Sequence, residues 1–367
     1  MTIRTACSEK EISGIGADIK AQIGQFNPTF IVFFASSSYD PGEISEAMKV
    51  AFGDIPMIGS STAGEIGAGK MLQNSIVAMF FDGATISDMT LEVVEDVRSE
   101  DAIPKVFARF ENHFALPMAA MDIEKYVGII LVDGLTGAEE RLMERIGDLT
   151  DVIFIGGSAG DDLKFTKTFV YANGKAYDNG AVLALLRPTK GFDIIKTQSF
   201  TSLGVNLMAT EVEEEKRKVI SFNGKPAVEA YAEAVGVSPE AAAEKFMSHP
   251  VGLSVGNDFY VRSPQQVQDS SIVFYCNIKE GMDLKVLSST NIVEDTKKAV
   301  EDKIEEMGGA AGIINFHCIL RTLELMQKGQ CEAYGKIFSS IPTIGFSTYG
   351  EEYMGHINQT STMLLFK

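Results

Sequence analysis

Short, wholly apolar runs alternate with amphipathic stretches along this chain, and the alternation recurs. Phe30 to Ala35 is a continuous apolar run rich in β formers, which predicts a buried strand. Asp40, Pro41 and Glu43 then open a helix. Asp40 accepts from first-turn amides, Pro41 needs no amide partner at the first helical position, and Glu43 closes a capping box. The helix runs to about Phe52, where Gly53-Asp54 ends it, and Ile55 to Gly59 and Ser75 to Phe81 read as two further strands. The same order returns with Tyr126 to Val132 (strand), Ala138 to Ile146 (helix) and Val152 to Ile155 (strand). Thr168 to Tyr171 follows, then the hairpin signal Asn173-Gly174 and the strand Ala181 to Leu186. A third occurrence takes Gly312 to Cys318, a helix over Leu320 to Phe338 interrupted near Gly329, Ile341 to Gly345, and Thr360 to Phe366.

A different pattern lies between. Gly224-Lys225-Pro226 opens a short helix through Val235, and Ser238-Pro239-Glu240 opens another. Val251 to Val261 and Ser271 to Tyr275 read as strands, and Asn291 with Glu294 caps a helix that Gly308-Gly309 stops after Met307. The fold class expected is α/β: two domains with mixed β-sheets flanked by helices, built from duplicated β-α-β-β units. The domains fall at 27–195 and 220–358, divided by the polar stretch around 195–220.

One segment is repeated almost verbatim. Residues 55–65 read IPMIGSSTAGE and residues 341–351 read IPTIGFSTYGE, identical at eight of eleven positions. The middle unit carries a reduced form, Ile155-Gly156-Gly157-Ser158-Ala159-Gly160-Asp161. A strand running through Gly into Ser-Thr-x-Gly-Glu makes a tight loop whose amides and hydroxyls face one space, with Glu65 or Glu351 as a fixed acceptor. Such a loop suits a small polar ligand, for example an amino acid. The same residues also serve simply to hydrogen-bond a turn.

Composition narrows the function. Fifty acidic against 32 basic residues give a net charge of -18, which repels nucleic acid. No apolar run reaches the roughly 18 residues a membrane span needs, and Met1 to Glu11 lacks the pattern of a signal peptide. A cytoplasmic protein without membrane insertion is expected. The cysteines at 7, 276, 318 and 331 form no C-x-x-C, and with the histidines at 113, 249, 317 and 356 they make no cluster of the kind a structural zinc site needs. Neither metal nor cofactor is expected.

Three patterns invite a catalytic reading. Gly156 to Gly160 matches the G-x-S-x-G elbow, but a polar stretch leading to a strand follows where a helix is required. Gly64 to Lys70 resembles a phosphate loop, but Met71 stands where a hydroxyl must bind magnesium. His317 and Cys318 are adjacent and, on a strand, point to opposite faces.

The apolar strand at 30–35, IGSSTAGE, the middle IGGSAGDD with its Asn-Gly hairpin, the NGKPAVEAYAE helix and the closing NFHCILR, IGFSTYGE and NQT occur in the order found in the FIST sensory proteins, and the chain resembles that family over residues 28 to 366. The resemblance implies a ligand-binding sensory module in signal transduction, with amino acids among the suggested ligands. Many relatives carry an output domain. This length leaves no room for one, so the output is expected from a signalling partner protein, or the chain acts alone as a binder.

The resemblance brings no assigned ligand residues, and the candidate site comes from residue types. Arg321, just past a strand end where open α/β sheets place their ligands, holds a carboxylate. Glu351 holds an amine, and Cys318, Ser347, Thr348 and Asn358 complete the set. Ser61, Thr62 and Glu65 are their counterparts in the first copy. A salt bridge from Arg321 to Glu324 or Glu332 is the plainer alternative for that residue. For the whole protein the alternatives are a thiol-dependent enzyme using Cys318 and a protein-binding scaffold.

Overall fold

All three strand-helix-strand stretches read from the apolar pattern are present in the computed structural model, which describes residues 2–256 and 258–367. Two compact units result. One comprises Met1–Lys196, Lys297–His356 and Ser361–Lys367; the other comprises Thr197–Thr296 with Ile357–Thr360.

The first unit repeats one element order three times. The first pass is β1 (Ile3–Ser8), α1 (Ile12–Ile23), β2 (Phe30–Ser36), α2 (Pro41–Phe52), β3 (Met57–Thr62), the hairpin β4 (Glu65–Gly67) and β5 (Lys70–Leu72), and β6 (Ile76–Phe81). The second is β7 (Ile86–Val94), α3 (Ala102–Phe114), β8 (Val127–Val132), α4 (Glu139–Gly147), β9 (Phe154–Ser158), the hairpin β10 (Val170–Ala172) and β11 (Lys175–Tyr177), and β12 (Ala181–Pro188). The third begins with β13 (Phe192–Gln198) and is interrupted by the second unit. That unit contains β14 (Phe200–Glu213), β15 (Lys218–Phe222), β16 (Lys225–Pro226), α5 (Ala227–Val235), β17 (Val251–Val255), β18 (Asp258–Arg262), β19 (Pro264–Gln268), β20 (Ser271–Phe274) and β21 (Asp283–Ser289). The third pass then resumes with α6 (Ile292–Met307), β22 (Gly312–Cys318), α7 (Ile319–Gln327), α8 (Cys331–Lys336), β23 (Thr343–Thr348), the hairpin β24 (Glu351–Tyr353) and β25 (His356–Ile357), and β26 (Thr360–Phe366).

Each pass builds a sheet but gives its hairpin away. The three six-stranded orders are β1-β6-β2-β3-β10-β11, β7-β12-β8-β9-β24-β25 and β13-β26-β22-β23-β4-β5. The first pass thus lends its hairpin to the third sheet, the third to the second, and the second to the first. In every sheet the two central strands run parallel, and the last strand and the borrowed hairpin pair antiparallel to them.

Strand alternation divides the side chains between two layers. Val32 and Phe34, Ile129 and Leu131, and Ile314 and Phe316 face inward and join one core shared by all three sheets. Within it Phe34 lies 4.5 Å from Phe346, and Phe81 lies 4.9 Å from Phe366. The glycine of each repeated Ile-Gly permits the close parallel pairing. A Cβ on Gly59, Gly156 or Gly345 would stand 2.3, 1.6 or 2.3 Å from the carbonyl oxygen of Phe33, Ile130 or Asn315.

Several sequence expectations need correction. The strands expected to end at Gly59, Ile155 and Gly345 run on to Thr62, Ser158 and Thr348. A borrowed strand supplies lateral hydrogen bonds to each, which composition alone does not reveal. Val251 to Val261 is a hairpin rather than one strand, turning through Gly256 at a φ of 61°. Ser238-Pro239 opens a 3-10 stretch, Pro239–Lys245, with no side-chain cap.

In the second unit, one sheet (β18-β17-β21-β14-β15-β20-β19, with β16 beside β15) buries one face. Leu207, Ala209, Val219, Phe222, Leu284 and Val286 pack there with Tyr231 of α5 and Phe246. Asn206, Met208 and Thr210, on the alternate positions of β14, are exposed.

Candidate functional site

The three sheets of the first unit align by register. Val32, Ile129 and Ile314 oppose the isoleucines of the repeated Ile-Gly, namely Ile58, Ile155 and Ile344. The next outward-facing positions are therefore Phe33, Ile130 and Asn315, followed by Ala35, Val132 and His317. Their neighbours on the last strand are Ile76, Ala181 and Ser361.

In the first sheet, Phe33, Ala35 and Ile76 pack into an apolar layer with Ile19 of α1 and Ile44 and Met48 of α2. In the second, Ile130, Val132 and Ala181 do the same with Phe107 of α3 and Leu142 of α4. The third sheet buries Asn315, His317 and Ser361 completely at these positions. Polar groups in a dry layer are costly unless each finds a partner.

Most of them do. Tyr334 of α8 places its ring 4.5 Å from that of His317. Its hydroxyl lies 2.9 Å from His317 Nδ1, accepts from Asn315 Nδ2 at 3.2 Å, and stands 3.5 Å from Ser361 Oγ. Ser361 Oγ donates to Asn315 Oδ1 at 2.7 Å, and Thr322 of α7 shares a 2.7 Å hydrogen bond with Ser347 Oγ. Arg321 of α7 is also buried, at 1% exposure. Among the described residues, His317 Nε2 has no hydrogen-bond partner. Burial, with the Arg321 charge adding to it, pushes the His317 imidazole well below its ordinary range, so it is neutral.

The repeated loops form a closed ring. Ala63 N donates to Ser347 O (3.2 Å), Tyr349 N to Ser158 O (3.2 Å) and Gly160 N to Ser61 O (3.0 Å). In return Ser347 N donates to Gly64 O (2.7 Å), Ser158 N to Gly350 O (2.9 Å) and Ser61 N to Phe169 O (2.9 Å). The loop amides expected to face a ligand are therefore satisfied by the neighbouring passes, because hairpin exchange brings those carbonyls within reach.

Several candidate side chains clasp the same ring. Ser61 Oγ donates to Gly160 O at 2.9 Å and accepts Phe169 N at 3.0 Å. Thr348 Oγ1 donates to Ser158 O at 2.7 Å. Thr62 Oγ1 donates to Glu65, whose other oxygen takes Ser75 Oγ (2.6 Å) and Ser75 N (3.1 Å). Burial raises the Glu65 carboxyl to about 7 against the pull of those donors.

The structure thus sets Ser347 beside His317, with Arg321 and Thr322 on the helix that follows β22. Cys318 is buried at the end of β22 opposite Thr348. Glu351 is buried in β24 opposite Gly157. Asn358 is buried and groups with the second unit. The candidate ligand set left out Asn315, His317, Thr322, Tyr334 and Ser361. The signal was there for two of them: Asn and His interrupt an otherwise apolar central strand, which the equivalent strands at 30–35 and 127–132 never do.

A second polar cluster lies where the third hairpin enters the second sheet. His356 Nδ1 is 3.0 Å from Glu352 Oε1, both fully buried. Burial opposes the imidazolium, but Glu352, Glu140 and Glu139 outweigh it and raise His356 to about 9. Ser158 Oγ, with one hydrogen to give, lies 3.2 Å from Glu352 Oε1 and 3.4 Å from Glu139 Oε1. The G-x-S-x-G serine therefore faces two buried carboxylates. Gly64 to Lys70 is the β4–β5 hairpin, with no helix after it to hold a phosphate. Among the described residues no group of three or more His, Cys, Asp or Glu is placed to hold a metal, and no helix is long and apolar enough to cross a membrane.

The FIST N domain family matches residues 29–225 and the FIST C domain family matches residues 227–354. Among curated proteins, the uncharacterized protein MJ1623 of Methanocaldococcus jannaschii is 23% identical over 308 residues, which is 78% of this chain and 59% of that protein. The chain thus spans somewhat over half the length of that relative. Among solved structures, PurLQS from Thermotoga maritima aligns with a TM-score of 0.20 and 8% identity over 99% of this chain and 72% of that one, a likeness too slight to carry any argument.

Proposed function

Because the chain belongs to the FIST family, whose domains are sensory domains implicated in signal transduction, we propose that it binds a small polar metabolite, such as an amino acid, in the polar layer of the third sheet. The observation that carries this reading is the contrast among equivalent positions. Two sheets bury Phe33, Ala35 and Ile76 or Ile130, Val132 and Ala181, while the third buries Asn315, His317 and Ser361. Stability alone favours the apolar solution, so a buried polar layer in one sheet of three is the place to look for function.

Arg321 holds the ligand carboxylate in this reading, Ser347 and Thr322 supply hydroxyls, and Glu351 takes an amine. Ser61, Thr62, Glu65 and Thr348 act as clasps of the loop ring. Binding shifts how α7 and α8 sit on the third sheet, and a partner protein reads that change. A thermal-shift screen against amino acids and other small metabolites tests the proposal, since a binder raises the melting temperature with ligand excess. A hit that survives both Arg321→Ala and Ser347→Ala unchanged would place the ligand elsewhere.

A further inference from the structure

The hydrogen positions in the polar layer follow from its distances. Ser361 Oγ spends its hydrogen on Asn315 Oδ1 at 2.7 Å, which fixes the Asn315 amide with Nδ2 toward Tyr334 Oη at 3.2 Å. Tyr334 Oη accepts there and has one hydrogen to give. His317 Nδ1 lies at 2.9 Å and Ser361 Oγ at 3.5 Å, so the hydrogen goes to the imidazole. A neutral histidine accepting at Nδ1 carries its own hydrogen on Nε2. That N–H is fully buried and has no acceptor among the described residues. Buried donors in folded proteins are almost always paired, so this N–H marks a place for an acceptor.

We infer that His317 is a ligand-binding residue whose Nε2–H donates to an oxygen of a small carboxylate. The inference rests on the reading of this layer as the ligand site and deepens it by naming the chemistry recognised. A carboxylate oxygen is a better acceptor than a hydroxyl or amide oxygen for a lone N–H, and the layer already contains the Arg321 cation. A neutral histidine also donates without bringing a second charge that the dry layer would have to stabilise.

The test uses full-length protein with 15N-labelled histidine, titrated with acetate, succinate and L-alanine, each against its primary amide. The His317 resonances are assigned by their loss in His317→Phe, which keeps an aromatic ring and removes both nitrogens. The free protein should show Nε2-protonated His317, and at least one carboxylate should shift its Hε2 signal saturably while the matching amide does not. His317→Phe should then bind that carboxylate about tenfold or more weakly. If His317→Phe does not fold, the other three histidines are replaced singly (His113→Gln, His249→Gln, His356→Gln), the His317 resonances are assigned by elimination, and the wild-type titration then decides.

Nδ1-protonated His317 in the free protein overturns the inference, as does an Hε2 that contacts only bound water and ignores every carboxylate. A metabolite whose binding is weakened by Ser347→Ala but which leaves His317 Hε2 unmoved also overturns it, yet leaves the polar layer standing as the ligand site. A metabolite bound equally well by wild type and by Arg321→Ala, Ser347→Ala and His317→Phe overturns both.

Discussion

The Tyr349 hydroxyl donates to the Asp161 carboxylate and accepts the amides of Asp161 (3.2 Å) and Leu163 (2.8 Å), so a side chain of the third loop ties down the segment after the second. That segment needs tying. Asp162, Leu163 and Phe165 have φ of 56°, 61° and 49°, which non-glycine residues rarely adopt and which costs on the order of 1 kcal/mol each. Asp161 also takes the amides of Phe165, Thr166 and Lys167 at 2.9, 2.6 and 3.0 Å. Burial alone would raise its carboxyl, but the Tyr349 hydroxyl and these amides hold it below the usual range.

Tyr349→Phe keeps the stack on Phe165 and removes only the hydroxyl. It leaves two amides and a carboxylate oxygen short of a partner, and should cost about 1–3 kcal/mol in urea unfolding. Hydrogen exchange should quicken at Leu163 and Phe165 to Lys167 while β8 and β9 stay protected. An unchanged exchange pattern would show that the segment holds without its tyrosine.

The repeated glycines make a graded prediction. Gly59→Ala, Gly156→Ala and Gly345→Ala each drive a methyl into a backbone carbonyl, with Gly156 closest at 1.6 Å. Each should lose roughly 1–3 kcal/mol or more, Gly156→Ala the most. Gly147→Ala, at the end of α4 with open space around it, should be neutral or gain up to about 1 kcal/mol. Thermal melts of the four variants check the order.

Stability should fall as pH rises past neutrality. His356 is raised from 6.5 to about 9 in the folded chain, so the fold binds more protons than the unfolded chain between those values. Its contribution is full below about 6.5 and is lost as pH climbs through 9, on the order of 3 kcal/mol. Glu65 acts in the same direction at lower pH, raised from 4.5 to about 7. Urea midpoints from pH 6 to pH 10 measure the slope, and His356→Gln should flatten it above neutrality.

Making the third sheet resemble the second should separate stability from function. Asn315→Ile, His317→Val and Ser361→Ala, with Tyr334→Phe to remove the stranded hydroxyl, replace the polar network by the residues found at Ile130, Val132 and Ala181. Stability should stay level or rise by about 1–4 kcal/mol, while ligand response in the thermal-shift screen disappears. A loss of more than about 2 kcal/mol would show that the network holds the fold together and was not kept for a ligand.

The chain's own letters determine the repeated strand-helix-strand order, because an apolar run of six residues buried on both faces needs no distant information to be read. Asp40 as the cap of α2, accepting Glu43 N at 2.9 Å, was legible for the same local reason. So was the break between α7 and α8 at Gly329, whose φ is 64°. Hairpin exchange was not legible. Glu65 to Leu72 looks the same in sequence whether it pairs with β3 or with β23, since pairing depends on which edge the folded passes present. The exchange in turn decided what the repeated Ser-Thr loops do: carbonyls from neighbouring passes claim amides that the sequence leaves open to a ligand. The candidate site was half visible, because Asn315 and His317 stand out of place in an apolar strand. Only the tertiary structure brought Tyr334 and Ser361 to them and left one buried imidazole nitrogen unpaired, since that depends on distances between segments far apart in the chain.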